Sequence, residues 1–175
     1  MASQRIEELL RSMSLEEKLG EMTQLAPFFF GVDESMDLTG PMAELGLSPE
    51  DIKCVGSTLN SFGAEQNIAL QKKHMAEQPH GIPLLFMADV IHGYRTVFPI
   101  PLAMGCSFHP AACEKAAEVA AKESSASGIQ LTFAPMADLV RDPRWGRVME
   151  SPGEDPYLNG GMAGAGVKGL EGEDR

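Results

Sequence analysis

The 175-residue chain is poor in cysteine, in aromatic residues and in positive charge. Its three cysteines, Cys54, Cys106 and Cys113, are an odd, widely spaced set with no CxxC pair. That argues against a disulfide framework and gives a zinc ribbon no support. Fourteen Lys and Arg face twenty-five Asp and Glu, for a formal net charge of −11. An acidic chain repels phosphate backbones, so no nucleic-acid partner is expected. The one basic cluster, Arg141, Arg144 and Arg147, is too small for a nucleic-acid footprint and suits a polar loop that reads one small ligand. No run of about 18 apolar residues exists, so no membrane-spanning helix is expected. The start, Met1 to Glu8, is acidic and amphipathic and lacks the apolar core of a signal peptide. Together with free thiols it predicts a cytoplasmic location. His74, His80, His92 and His109 show no metal-ligand spacing, and there is no GxSxG nucleophile motif. Gly164, Gly166 and Gly169 match GxGxxG, but they follow a helical pattern rather than a strand, so the dinucleotide reading fails.

What is present is a βα alternation. Ile6, Leu9, Leu10 and Met13 share one face of a helix, and Ser14 with Glu17 forms a capping box for a second, lined by Leu15, Leu19 and Met22. Residues 26–50 read as irregular or short-helical. Three strands follow, at 55–60, 83–88 and 130–134. The middle one is an unalternating apolar run that predicts burial on both faces. Between and after them lie helices over 64–77, with Ala64, Ile68 and Met75 on one side, over 109–127, and over 157–170. His74 is expected on a solvated helix face. This order predicts a parallel α/β sheet. It fits an open doubly wound sheet, or the beginning of an eight-stranded barrel that needs roughly 250 residues.

Parallel sheets place their sites at the C-terminal ends of the strands. Asp89 stands there after the second strand, where a carboxylate can accept two sugar hydroxyls or simply cap the next turn. His92 lies on the same edge. The loop after the third strand, 135–156, concentrates Arg141, Arg144, Arg147, the only tryptophan (Trp145) and the carboxylates Asp138, Glu150, Glu154 and Asp155. Arginine forks orient hydroxyls and carboxylates, and tryptophan offers a flat face. The same residues could instead be a salt-bridge network that shapes the loop.

Three blocks in order sharpen the reading. His80-Gly81-Ile82-Pro83-Leu84-Leu85-Phe86-Met87-Ala88-Asp89, with His92-Gly93 and Thr96-Val97-Phe98-Pro99-Ile100-Pro101-Leu102, is the first. Phe133-Ala134-Pro135-Met136-Ala137-Asp138 with Arg141-Asp142-Pro143-Arg144-Trp145-Gly146-Arg147 is the second, and Gly153-Glu154-Asp155-Pro156-Tyr157-Leu158 the third. Together they resemble glycoside hydrolase family 3. The resemblance covers nearly the whole chain and implies an α/β fold, a partial (β/α)₈ TIM-type barrel. Residues 1–24 would be an N-terminal helical segment and 25–175 the first strand–helix units of the barrel domain. It implies a β-glucosidase-like enzyme, with exo-acting, retaining hydrolysis of terminal β-D-glucosyl residues. The substrate would be a β-glucoside or oligosaccharide, with no cofactor and no metal. A β-xylosidase of the same family and a non-catalytic sugar-binding α/β domain are the alternatives. By the same resemblance Asp89 and Arg147 bind the terminal sugar and Arg95 borders the neighbouring subsite. The family's Lys-His pair, nucleophile and acid/base would belong to a missing C-terminal part of the same chain. No catalytic residue is assigned here, and the 175 residues alone are expected to be inactive.

Overall fold

A computed structural model describes residues 2–31, 45–61 and 63–172. Most of the irregular stretch expected over 26–50 lies outside the described residues. Two compact units, Met1–Met87 and Ala88–Arg175, meet in sequence inside the third strand.

The first unit begins with α1 (Ala2–Ser12) and α2 (Leu15–Glu21). The capping box at Ser14 forms in full: Glu17 N donates to Ser14 Oγ, and the Glu17 carboxylate accepts from Ser14 N. Then come β1 (Gln24–Leu25), a 3₁₀ turn at Pro27–Phe30, α3 (Pro49–Lys53), β2 (Ser57–Leu59), α4 (Ala64–Glu77) and β3 (Leu85–Ala88). β1 pairs with β2 and β2 with β3, both parallel, with Leu25 opposite Thr58 and Thr58 opposite Phe86. β1, α3 and a short helix in the second unit had no reading of their own, because elements of two to six residues complete no hydrophobic period.

Met13, Leu25, Phe30, Val55, Leu70, Leu84 and Phe86 form the core of this unit. Gln71 of α4 ties the helix to the sheet: its Nε2 donates to Leu84 O at 2.9 Å and its Oε1 accepts from Leu84 N at 2.8 Å. A Cβ at Gly20 would stand 2.5 Å from Cys54 O, so only glycine lets α2 run this close to the end of α3.

The structure corrects the burial expected of four elements. β3 is not buried on both faces: Phe86 is buried, whereas Leu85 is 37% exposed, the alternation of a strand packed on one side. On α4 the inward residues are Asn67, Leu70 and His74, while Ile68 and Met75 are exposed. His74 is therefore core rather than solvated, 3% exposed, with its ring edge-on to Phe30 at 6.2 Å. Tertiary packing turned this helix through about one residue's rotation, which hydrophobic count alone does not specify. Between α1 and α2, Met13 is buried, yet Ile6 and Leu10 of α1, Leu15 and Leu19 of α2, and Met22 just after it are exposed.

The second unit holds α5 (Pro101–Cys106), α6 (Pro110–Ala126), β4 (Leu131–Thr132), a 3₁₀ turn at Val148–Glu150 and α7 (Pro156–Glu171). Both long helices start with proline behind a side-chain cap: His109 Nδ1 accepts from Ala112 N at 3.1 Å, and Asp155 accepts from Leu158 N at 2.7 Å. α6 and α7 pack closely against each other. A Cβ at Gly169 would fall 2.3 Å from Glu114 O and 2.7 Å from the Ala117 Cβ, so the crossing depends on a missing side chain. Ala120 and Met162 are buried in this unit.

Candidate functional site

The candidate site occupies two loops of the second unit. The first leaves the end of β3 at Asp89 and runs to the start of α5. Val90 N donates to Thr132 Oγ1 of β4 at 3.2 Å and fixes its beginning. His92 and Phe98 then close its neck: Phe98 N donates to His92 O at 2.8 Å, and His92 Nδ1 lies 3.0 Å from Phe98 O. Gly93 bridges Val97, with φ of 118° and Thr96 O only 1.9 Å from where a Cβ would be. No other residue fits that turn. His92, read on the edge as a candidate for chemistry, braces the neck of this loop.

The second loop runs from β4 to α7 and is built around two buried polar residues. Ser151 is fully buried and donates to Asp138 O at 2.6 Å. Asn159 on α7, 2% exposed, donates to the same carbonyl at 3.0 Å and to Ser151 Oγ at 3.2 Å. Val140 N donates to Gly153 O at 3.1 Å and closes the ends of the loop. Neither Ser151 nor Asn159 carries a sequence signal that separates it from an ordinary loop serine or helix asparagine. Their role exists only once the loop is folded, because buried polar groups require partners.

On this frame Arg147 is held by Glu150 through a fork, Nε to Oε1 at 2.8 Å and Nη2 to Oε2 at 2.6 Å. The bond to Glu150 raises the Arg147 pKa, and the charges of Asp138 and Asp89 raise it further. The same bond lowers the Glu150 carboxyl below its ordinary value. Asp89 and Arg147 thus lie within electrostatic reach of each other, one at the end of β3 and the other in the loop after β4. Both are exposed. An accepting carboxylate and a donating guanidinium within electrostatic reach of each other can hold different hydroxyls of one polyol.

Arg95 is placed differently. It sits at the tip of the first loop, exposed, and its backbone N–H donates to Glu123 of α6 at 2.8 Å. Arg144 closes on Asp142, with Nε to Oδ1 at 2.9 Å and Nη2 to Oδ2 at 2.5 Å, and Trp145 N donates to Asp142 O at 3.0 Å. These residues shape the turn that precedes Arg147. Among the described residues no group of three or more His, Cys, Asp or Glu could hold a metal ion. Nor is any helix of the described residues long and apolar enough to cross a membrane.

Comparison with known proteins identifies the family. The family described as the glycosyl hydrolase family 3 N terminal domain matches residues 14–174. A periplasmic β-glucosidase of Salmonella typhimurium is 36% identical over 168 residues, covering 96% of this chain and 21% of that protein. A protein of Formosa agariphila named as a putative β-xylosidase is 34% identical over 179 residues, covering 97% of this chain and 24% of the relative. The crystal structure of a β-glucosidase from Listeria innocua in complex with glucose superposes with a TM-score of 0.91 at 49% identity, over 99% of this chain and 24% of that one. The chain therefore spans about a quarter or less of the proteins it matches. With its parallel strands and intervening helices, it belongs to glycoside hydrolase family 3, as part of that family's N-terminal (β/α)₈ barrel domain.

Proposed function

We propose that this chain supplies part of the sugar-binding edge of a β-glucosidase-type enzyme, in which Asp89 and Arg147 hold hydroxyls of the terminal glucosyl residue. The observation that carries the reading is the placement of Asp89 at the end of β3 within electrostatic reach of the forked Arg147 in the loop after β4. The carboxylate accepts from two hydroxyls, and the guanidinium edge left over from Glu150 donates to a third. Arg95 borders the position of the next sugar unit. The reaction is exo-acting, retaining hydrolysis. That mechanism needs a nucleophile and an acid/base with carboxyl groups about 5–5.5 Å apart. Both come from outside these 175 residues, so the chain alone hydrolyses nothing. The Formosa agariphila relative's name supports a β-xylosidase as the second reading.

A chimaera in which residues 14–174 replace the matched part of the Listeria innocua enzyme tests this. The chimaera is expected to hydrolyse nitrophenyl β-glucoside faster than nitrophenyl β-xyloside, while the 175-residue chain is silent on both. The reverse preference selects the xylosidase reading. A soluble chimaera that cleaves neither substrate and does not bind glucose overturns the proposal.

A further inference from the structure

Glu123 lies in the fourth turn of α6, outside both loop blocks and 27 residues after Thr96. Its carboxylate nevertheless makes three hydrogen bonds to the tip of the first site loop. Oε2 accepts from the backbone N–H of Arg95 and of Thr96, both at 2.8 Å, and Oε1 accepts from Thr96 Oγ1 at 2.6 Å. Two consecutive amides aimed at one oxygen define a concave backbone turn, a geometry that favours negative charge. The Glu123 carboxyl is correspondingly held below its ordinary pKa, first by Thr96 Oγ1 and then by the Thr96 and Arg95 amides.

We propose that Glu123 is a positioning residue for the sugar-binding edge: it pins the Arg95–Thr96 turn to α6 and so sets where Arg95 and the loop that begins at Asp89 can stand. The proposal rests on the function proposed above. The loop has three tethers in sequence. Thr132 holds Val90, the His92–Phe98 pair closes the neck, and Glu123 holds the tip. Of these only Glu123 belongs to a long helix packed on a second helix, so it ties the tip to the α6–α7 pair. The other two tethers hold the beginning and the neck of the loop, and Glu123 holds the Arg95–Thr96 turn.

The chemistry of the clamp separates positioning from charge. Gln at 123 keeps it: its carbonyl oxygen accepts from both amides, and its amide donates to Thr96 Oγ, which accepts as readily as it donates. Ala at 123 removes all three bonds. The test has two parts. In the full 175-residue chain, the Arg95 and Thr96 amides are expected to exchange at least tenfold faster in Glu123→Ala than in the wild type, and to stay protected in Glu123→Gln. In the chimaera, Glu123→Ala is expected to raise KM and the inhibition constant of gluconolactone about tenfold, with kcat changed less, because misplacing a contact outside the bond being broken weakens ground-state binding. Glu123→Gln restores both to within about threefold, as near-isosteric replacement of the clamp allows. Unchanged exchange at Arg95 and Thr96 in Glu123→Ala overturns the inference, as does an active chimaera whose KM ignores that substitution. Loss in Glu123→Gln as large as in Glu123→Ala overturns it too, by showing that charge rather than position matters. An inactive wild-type chimaera that also fails to bind glucose strikes the proposed function itself, and this inference with it.

Discussion

Arg147 and Glu150 form a two-pronged ion pair, 2.8 Å from Nε to Oε1 and 2.6 Å from Nη2 to Oε2, on the loop between β4 and α7. The fork fixes the plane of the guanidinium and leaves its remaining N–H groups directed elsewhere. Lysine cannot make such a fork. Arg147→Lys in the chimaera is therefore expected to weaken gluconolactone inhibition about tenfold or more although the charge is kept. Glu150→Ala should follow in the same direction. Inhibition constants equal to the wild type in both variants would remove the fork from the site.

Asp89 tests the other half of the pair. Hydrogen bonds to a charged acceptor contribute about 1.5–3 kcal/mol each. Asp89→Asn is expected to lower kcat/KM on nitrophenyl β-glucoside about 10- to 100-fold, and Asp89→Ala further. Because Asp89 is exposed, the circular dichroism spectrum and melting temperature should hardly move. Steady-state kinetics on the purified variants decides.

His74 contributes to the acid side of the stability profile. Burial pushes its pKa below the ordinary value of 6.5, and the weaker attraction of Glu77 acts the other way. Its Nε2 is buried with no hydrogen-bond partner. The unfolded chain takes up the proton first as the pH falls. His74 therefore contributes fully above about pH 6.5, and stability drops below that toward its lowered folded value, by up to about 1.4 kcal/mol per pH unit. Urea unfolding between pH 5 and 8 should show that slope in the wild type. The slope over this window should be smaller in His74→Leu.

Gln71 makes a second stability prediction. Leu84 is 2% exposed, and Gln71 satisfies both its N–H and its carbonyl. Gln71→Ala strands two backbone groups, each costing about 1–3 kcal/mol when left unpaired. A lowered urea midpoint with unchanged slope is the expected result.

Gly169 makes a third. Alanine there would place a Cβ against the Glu114 carbonyl and force α6 and α7 apart. Overpacking of this kind costs about 1–3 kcal/mol. The neighbouring Gly164, with open space around it, is the control: Gly164→Ala should stabilise the helix slightly.

The periodicities predicted α1, α2, α4, α6 and α7 to within a few residues, because each carries its own cap or apolar repeat. Ser14 with Glu17 and Pro110 behind His109 are local signals, readable without a fold. Asp89 and Arg147 could be placed on the same strand-end edge from the βα order. Other features were not legible. The inward face of α4 became Asn67, Leu70 and His74 because the sheet and the Phe30 turn meet it there, not because those residues are the most apolar. Glu123 looks like any surface glutamate on an alanine-rich helix until the loop 28 residues before it folds back onto it.

The sequence by itself determined the βα alternation, the helix ends and the family, since these are written in spacing and in residues that act on their immediate neighbours. Only the tertiary structure decided which face of α4 is core, which carboxylate grips Arg147, and that Glu123 clamps the turn at Arg95. Those outcomes rest on hydrogen bonds and contacts between segments distant in the chain. A bond of that kind has no local signature, because its geometry exists only after both segments have been packed.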